Sequence, residues 1–212
     1  MPVGKQFNVG VIGGNFDPIH MGHLLIANEA SNQCDFAQVL FCPYRNSPRE
    51  EDREITGSQT RMMMIELAIK DIPKFQISLV ELDREGPSYT VDTLQELNEK
   101  NPKWNLHFII GSDNLKEFHT WKDPGQILEE AKLFVARRDE NPTKVPPDVK
   151  ELIQEKGSDR IIFQDEDTPR FHISSTMIRE RRRNHGSIDF LVPDEVQDYI
   201  RSNDLYEKRK KL

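Results

Sequence analysis

The sequence predicts a doubly wound α/β fold, with a mostly parallel sheet followed by C-terminal helices. Three observations predict it. Six short runs are continuously apolar, as in strands covered on both faces. Helix-like amphipathic stretches separate them, so β and α elements alternate. After the last run, two further helix patterns follow with no strand between them.

The candidate strands are 7–12, Val39–Cys42, Ile77–Val80, Leu106–Ile110, Leu133–Ala136 and Ile161–Phe163. Helical patterns lie near 22–32, 58–70, 91–100, 125–131 and 146–156, and the late pair near 175–183 and 193–201. In the 91–100 segment Val91, Leu94 and Leu97 recur at helical spacing and define a buried stripe. The stretch from Pro43 to Gly57 is polar, charged and proline-bearing, and reads as a mobile surface loop. Asp139 to Pro147 reads as a second exposed loop. With no internal repeat and no low-complexity linker, 1–212 is expected to be one domain, 171–212 forming its C-terminal helical part.

Composition narrows the function. The chain carries 29 basic and 36 acidic residues, a net charge of −7. A protein that grips a polyanion by counterion release is usually basic, so no nucleic-acid partner is expected. Small phosphorylated ligands need only a local basic pocket and stay open. Two cysteines, Cys34 and Cys42, are too few for a disulfide framework and suit a reducing compartment. No apolar run approaches membrane-spanning length and no signal-peptide pattern opens the chain. The expected setting is cytoplasmic, and a homo-oligomer is compatible with the sequence.

In an open α/β sheet, ligands bind beyond the carboxyl ends of the strands. The loop after the first strand reads Gly13-Gly14-Asn15-Phe16-Asp17-Pro18-Ile19-His20-Met21-Gly22-His23. Its two leading glycines let backbone approach a ligand closely. Gly22 is placed to open a helix whose free amides and dipole favour phosphate, and His20 and His23 supply ring N–H donors beside it. Neither a P-loop nor a dinucleotide glycine fingerprint is present. Near the other end, Ile173-Ser174-Ser175-Thr176-Met177-Ile178-Arg179 crowds hydroxyls at a helix start, with Ser174 as natural N-cap. Ser175 and Arg179, four apart, share a helical face. Ordinary helix capping explains the hydroxyls equally well.

These two motifs resemble the nucleotidyltransferase superfamily that shares H-x-G-H and I-S-S-T-x-x-R elements, and within it the bacterial nicotinate mononucleotide adenylyltransferases. Intermediate segments resemble that family in order: Arg84-Glu85-Gly86-Pro87-Ser88-Tyr89-Thr90-Val91-Asp92-Thr93, then Ile110-Gly111-Ser112-Asp113, then Phe118-His119-Thr120-Trp121. The resemblance covers nearly the whole chain. It implies a Rossmann-like nucleotidyltransferase fold and adenylyl transfer from ATP to nicotinate mononucleotide, giving nicotinate adenine dinucleotide and pyrophosphate in NAD biosynthesis. Magnesium would arrive with ATP, with no separate metal site on the protein.

The same resemblance implies residue roles. His20, His23 and Arg179 would act on the reacting phosphates. Gly13, Gly14, Asn15, Phe16, Gly111, Asp113, Ile173, Ser174, Ser175 and Thr176 would bind ATP. Ser88, Tyr89, Thr90, Trp121 and Arg138 would bind the acceptor, with Trp121 stacking on the pyridine and amides near Thr90 taking its carboxylate. One segment departs from the pattern. Where the family's second loop often ends in P-P-H-K, this chain reads Pro43-Tyr44-Arg45-Asn46-Ser47-Pro48-Arg49-Glu50, with Glu50 at the lysine position. Arg45 or Arg49 could supply the missing charge, with different geometry. A sister enzyme using another phosphate acceptor, or a nucleotide-binding regulator without turnover, are the alternatives that the motifs leave.

Overall fold

The computed structural model describes residues 6–46, 55–137, 145–169 and 172–207. Chain order within them is β1 (Phe7–Gly14), α1 (Met21–Gln33), β2 (Gln38–Pro43), α2 (Ser58–Ile69), β3 (Phe75–Ile77) and α3 (Val80–Asp83). Then come α4 (Thr90–Lys100), β4 (Trp104–Gly111), α5 (Ser112–Glu117), α6 (Pro124–Glu130), β5 (Ala131–Ala136), α7 (Pro147–Lys156) and β6 (Ile161–Phe163). Helices α8 (Ser175–Arg183) and α9 (Asp194–Ser202) follow.

The six strands form one sheet in the order β3-β2-β1-β4-β5-β6, and every pairing is parallel. The expected doubly wound fold is therefore what the chain adopts. Strand order reverses between β1 and β4, and that switch point opens the crevice where such folds bind ligands. Side-chain alternation feeds two cores. Val39, Phe41, Ile109 and Phe134 face one side, packed with Leu24, Ala27, Met64, Ile65, Ile178, Val196 and Ile200 from α1, α2, α8 and α9. Leu40, Leu106, Phe108, Leu133 and Val135 face the other, under Leu94, Leu97, Ile127, Leu128 and Val149 from α4, α6 and α7. Burial on both faces is why the centres of these strands are predominantly apolar.

Two elements differ from expectation. The third strand spans Phe75–Ile77 rather than Ile77–Val80, because pairing with Val39–Phe41 sets its register. Leu79 is left exposed, and Val80 and Glu81 turn inward to begin α3. Helix α5 was not foreseen: in six residues it buries one apolar side chain, Leu115, too few to mark a helical period.

Candidate active site

A cleft of about 620 Å³ opens at the switch point, beyond the carboxyl ends of β1 and β4. Gly13, Gly14, Asn15 and His23 line one side, and Ser88, Tyr89 and Thr90 another. Gly111 ends β4, and Asn114, Trp121 and Lys122 come from the segment after it.

The first wall is built by close approach. A Cβ on Gly13 would sit 2.9 Å from the Tyr44 ring, which lies across the strand end. Phe16 follows with φ of +50°, a left-handed conformation uncommon for a bulky residue. Its ring is buried and meets His23 edge-on at 5.1 Å. His20 caps α1, is itself buried, and stacks on His23 with centroids 3.7 Å apart and planes 21° from parallel. The His20 backbone N–H donates to His23 Nδ1 at 3.2 Å. A neutral His23 ring accepting there carries its proton on Nε2, as a donor. His23 lines the cleft and His20 sits behind it. The Met21 N–H, first of the helix amides, donates to the Leu191 carbonyl at 2.9 Å.

The second wall begins in the turn before α4. Ser88 is buried; its N–H donates to the Asn46 carbonyl at 2.9 Å, and its Oγ accepts from the Arg45 N–H at 3.1 Å. Thr90, which lines the cleft, is the first residue of α4. Lys122 Nζ bonds Asp92 at 2.8 Å and rides 4.7 Å from the Tyr89 ring centroid. Trp121 is half-buried, with Phe118 at 5.5 Å and Phe108 at 6.1 Å. Those ring contacts pack against the indole while the residue lines the cleft.

Beneath Ser88 lies Glu81, 3% exposed. Thr93 Oγ1 donates to its Oε1 at 2.8 Å and accepts from Arg84 Nη2 at 2.8 Å. Burial pushes the Glu81 carboxyl up to about 7, against the opposing pull of the Thr93 and Ser88 hydroxyls and the Arg84 charge.

The late motif packs against the first loop from outside the cleft. Ser174 Oγ accepts from the Met177 N–H at 3.2 Å, an N-cap, and Ile173 is buried. Ser175 Oγ donates to the Pro18 carbonyl at 2.9 Å, and Arg179 Nη1 to the Asp17 carbonyl at 2.7 Å. The shared helical face thus grips one loop. Arg179 is buried, with Nη2 on Thr176 Oγ1 at 3.0 Å. Asp113 is exposed on α5, where its neighbour Asn114 lines the cleft. Arg45 Nη1 donates to the Leu82 and Arg84 carbonyls at 3.3 Å each. Arg138, Arg49 and Glu50 lie outside the described residues, as do most of both loops read as exposed. Among the described residues no group of three or more His, Cys, Asp or Glu side chains is gathered to hold a metal.

Sequence reading missed Arg61. It is 2% exposed, and its guanidinium donates to the carbonyls of Thr56, Asn15 and Tyr44 at 2.8, 2.8 and 2.7 Å. It ties the loops after β1 and β2 to the start of α2. Its position was a signal, since Arg61, Met64, Ile65, Ala68 and Ile69 fall on the buried stripe of α2. Tyr206, given no role by the sequence, donates its hydroxyl to Asp17 Oδ1 at 2.7 Å. Burial and the Asp17 charge push that phenol upward, so it stays a donor.

Comparison with known proteins agrees with this architecture. A family model described as cytidylyltransferase-like matches residues 11–181. The nicotinate-nucleotide adenylyltransferase of Bacillus subtilis (strain 168) is 37% identical over 199 residues, covering 94% of this chain and 98% of that protein. A probable nicotinate-nucleotide adenylyltransferase of Lactococcus lactis subsp. lactis (strain IL1403) is 35% identical over 209 residues, covering 99% and 100%. The structure of Plasmodium falciparum nicotinic acid mononucleotide adenylyltransferase complexed with NaAD superposes with a TM-score of 0.72 at 22% identity, covering 95% of this chain and 98% of that one. That likeness establishes the fold. With identity of this order to the curated relatives along almost its whole length, the chain belongs to the nicotinate-nucleotide adenylyltransferase family.

Proposed function

We propose that this chain transfers the adenylyl group of ATP to nicotinate mononucleotide. One observation carries the reading: a single cleft at the switch point brings Gly13, Gly14 and His23 together with Ser88, Thr90 and Trp121. One wall offers a ring donor and close backbone; the other offers helix amides and an indole face.

In this reaction an oxygen of the mononucleotide 5′-phosphate attacks the α-phosphorus of ATP. A new P–O bond forms as the bond to the bridging oxygen breaks, and pyrophosphate leaves with the electron pair. No covalent enzyme intermediate is needed, so positioning and charge stabilisation supply the rate. His23 donates through Nε2–H to the phosphoryl oxygens, and His20 keeps it in register. Gly13, Gly14 and Asn15 take the nucleotide side together with Gly111, and the amides opening α4 take the nicotinate carboxylate. Trp121 stacks on the pyridine. Arg179, Ser174, Ser175 and Thr176 support the phosphate end, where Ser175 and Arg179 hold the Asp17-Pro18 segment. Magnesium arrives as part of the MgATP substrate. We read 1–212 as one domain, because α8 and α9 share a core with α1 and α2. A cytoplasmic setting fits Cys34 and Cys42, both free thiols.

The test is pyrophosphate release with ATP, magnesium and either nicotinate mononucleotide or its amide. Turnover with the acid well above the amide is expected, because an amide sets N–H donors against N–H donors. Equal rates would remove the carboxylate assignment at Thr90. No release with either acceptor would remove the reaction.

A further inference from the structure

The Ser88–Thr90 turn of the cleft wall has a nearly buried carboxyl group, Glu81, behind it. Glu81 does not line the cleft, but it engages Ser88, which does, and Thr93, three residues beyond the lining residue Thr90. Thr93 sits one turn into α4, and its hydroxyl also lies 3.2 Å from the Tyr89 carbonyl, so it ties Glu81 to the backbone that enters the helix. The Ser88 hydroxyl, which accepts from the Arg45 N–H, is near enough to the same carboxyl to favour its ionised form. Glu81 Oε2 is buried and makes no hydrogen bond among the described residues. An ionised carboxylate left half-satisfied is poorly stabilised there, so burial favours the neutral acid.

We propose that Glu81 is the positioning residue of the cleft's acceptor end: acting through Ser88 and Thr93 it fixes the Ser88–Thr90 turn, and as a neutral acid it leaves that end open to an anionic group. This rests on the adenylyltransferase reading above. A second negative charge buried behind the turn would oppose the nicotinate carboxylate at its front, with little water between to screen it. The amide acceptor lacks that charge and is indifferent to it. Glu81 therefore tunes acid-over-amide preference by its own ionisation.

The groups that face Glu81 come from four elements. Arg84, after α3, favours its ionised form and is itself drawn off by Glu96 of α4 at 3.2 Å. Thr93 of α4 and Ser88 in the turn are hydroxyls. Cys42 of β2 is buried, and burial first, then the Glu81 charge, pushes its thiol up, so it stays neutral and adds no charge of its own. Glu81 is thus the group of this cluster that changes charge near neutrality.

The experiment is kcat/KM for the acid and amide acceptors between about pH 6 and pH 8, in the wild type, Glu81→Gln, Glu81→Asp and Thr93→Val. Both acceptors carry the same phosphate, so its titration cancels in the acid-to-amide ratio. In the wild type that ratio is expected to fall roughly three- to tenfold as pH rises across the window. Glu81→Gln keeps the shape without the charge and flattens the ratio; Glu81→Asp restores the slope. Thr93→Val raises KM for both acceptors and leaves KM for ATP near its wild-type value. A wild-type ratio independent of pH, or an unchanged slope in Glu81→Gln, overturns the role of Glu81 while leaving the reaction standing. No pyrophosphate release by the wild type with either acceptor overturns both.

Discussion

Gly22 and the imidazole of His20 are so close that a methyl group on Gly22 would sit 3.0 Å from Nδ1 and 3.1 Å from Cε1 of that ring. His20 in turn stacks on His23 at 3.7 Å, so a displaced first ring pushes the second. This is the physical reason for a glycine between the two histidines.

Gly22→Ala should therefore separate activity from stability. Alanine favours the helix by about 0.5–1 kcal/mol, so the thermal midpoint should stay within a few degrees of wild type. Turnover should drop on the order of tenfold or more as His23 loses its position. Steady-state rates set beside a melting curve decide it, and full activity would dissociate His20 packing from the reaction.

Arg61 makes a stability prediction. Arg61→Met fills similar volume but leaves the carbonyls of Thr56, Asn15 and Tyr44 without this donor. A loss of about 3 kcal/mol or more is expected in denaturant unfolding. Arg61→Lys should recover only part, since an ammonium cannot span three carbonyls in a planar fork. A near-neutral Arg61→Met would mean that the loops hold themselves.

The C-terminal segment contributes through one hydroxyl. Tyr206→Phe removes the 2.7 Å bond to the buried Asp17 carboxylate, which also accepts from the Thr56 N–H at 3.5 Å. Bonds to charged groups are worth about 1.5–3 kcal/mol, so a loss in that range is expected from equilibrium unfolding. A change under about 0.5 kcal/mol would show the strap to be dispensable.

Glu81 gives the chain a pH signature of its own. Its carboxyl titrates near 7 when folded against an ordinary value of 4.5, so the folded state holds a proton that the unfolded state releases. Its stabilising effect is complete below the unfolded value and is lost as pH rises through the folded one. Across that window the wild type should lose roughly 3 kcal/mol relative to Glu81→Gln. Unfolding free energies of the two proteins at about pH 5 and pH 8 test the sign; parallel curves would refute it.

The sheet and its order of helices were legible because the strands are predominantly apolar and covering helices carry their own stripes, as Val91, Leu94 and Leu97 do on α4. Gly13, Gly14, His23, Ser88, Thr90 and Trp121 were legible as site candidates because chemistry-bearing residues follow strand ends in short motifs, and the fold gathers those ends at one switch point. What sequence alone left undecided was which motif residues face the cleft. Ser175 and Arg179 share a helical face by spacing, but only packing turns that face onto the Asp17-Pro18 backbone. Arg61, Glu81 and Tyr206 act across 46, 12 and 189 residues of chain, on Asn15, Thr93 and Asp17. A local period carries which side of an element is buried. It carries nothing about which distant carbonyl or carboxylate will lie opposite, and that is decided when the layers close.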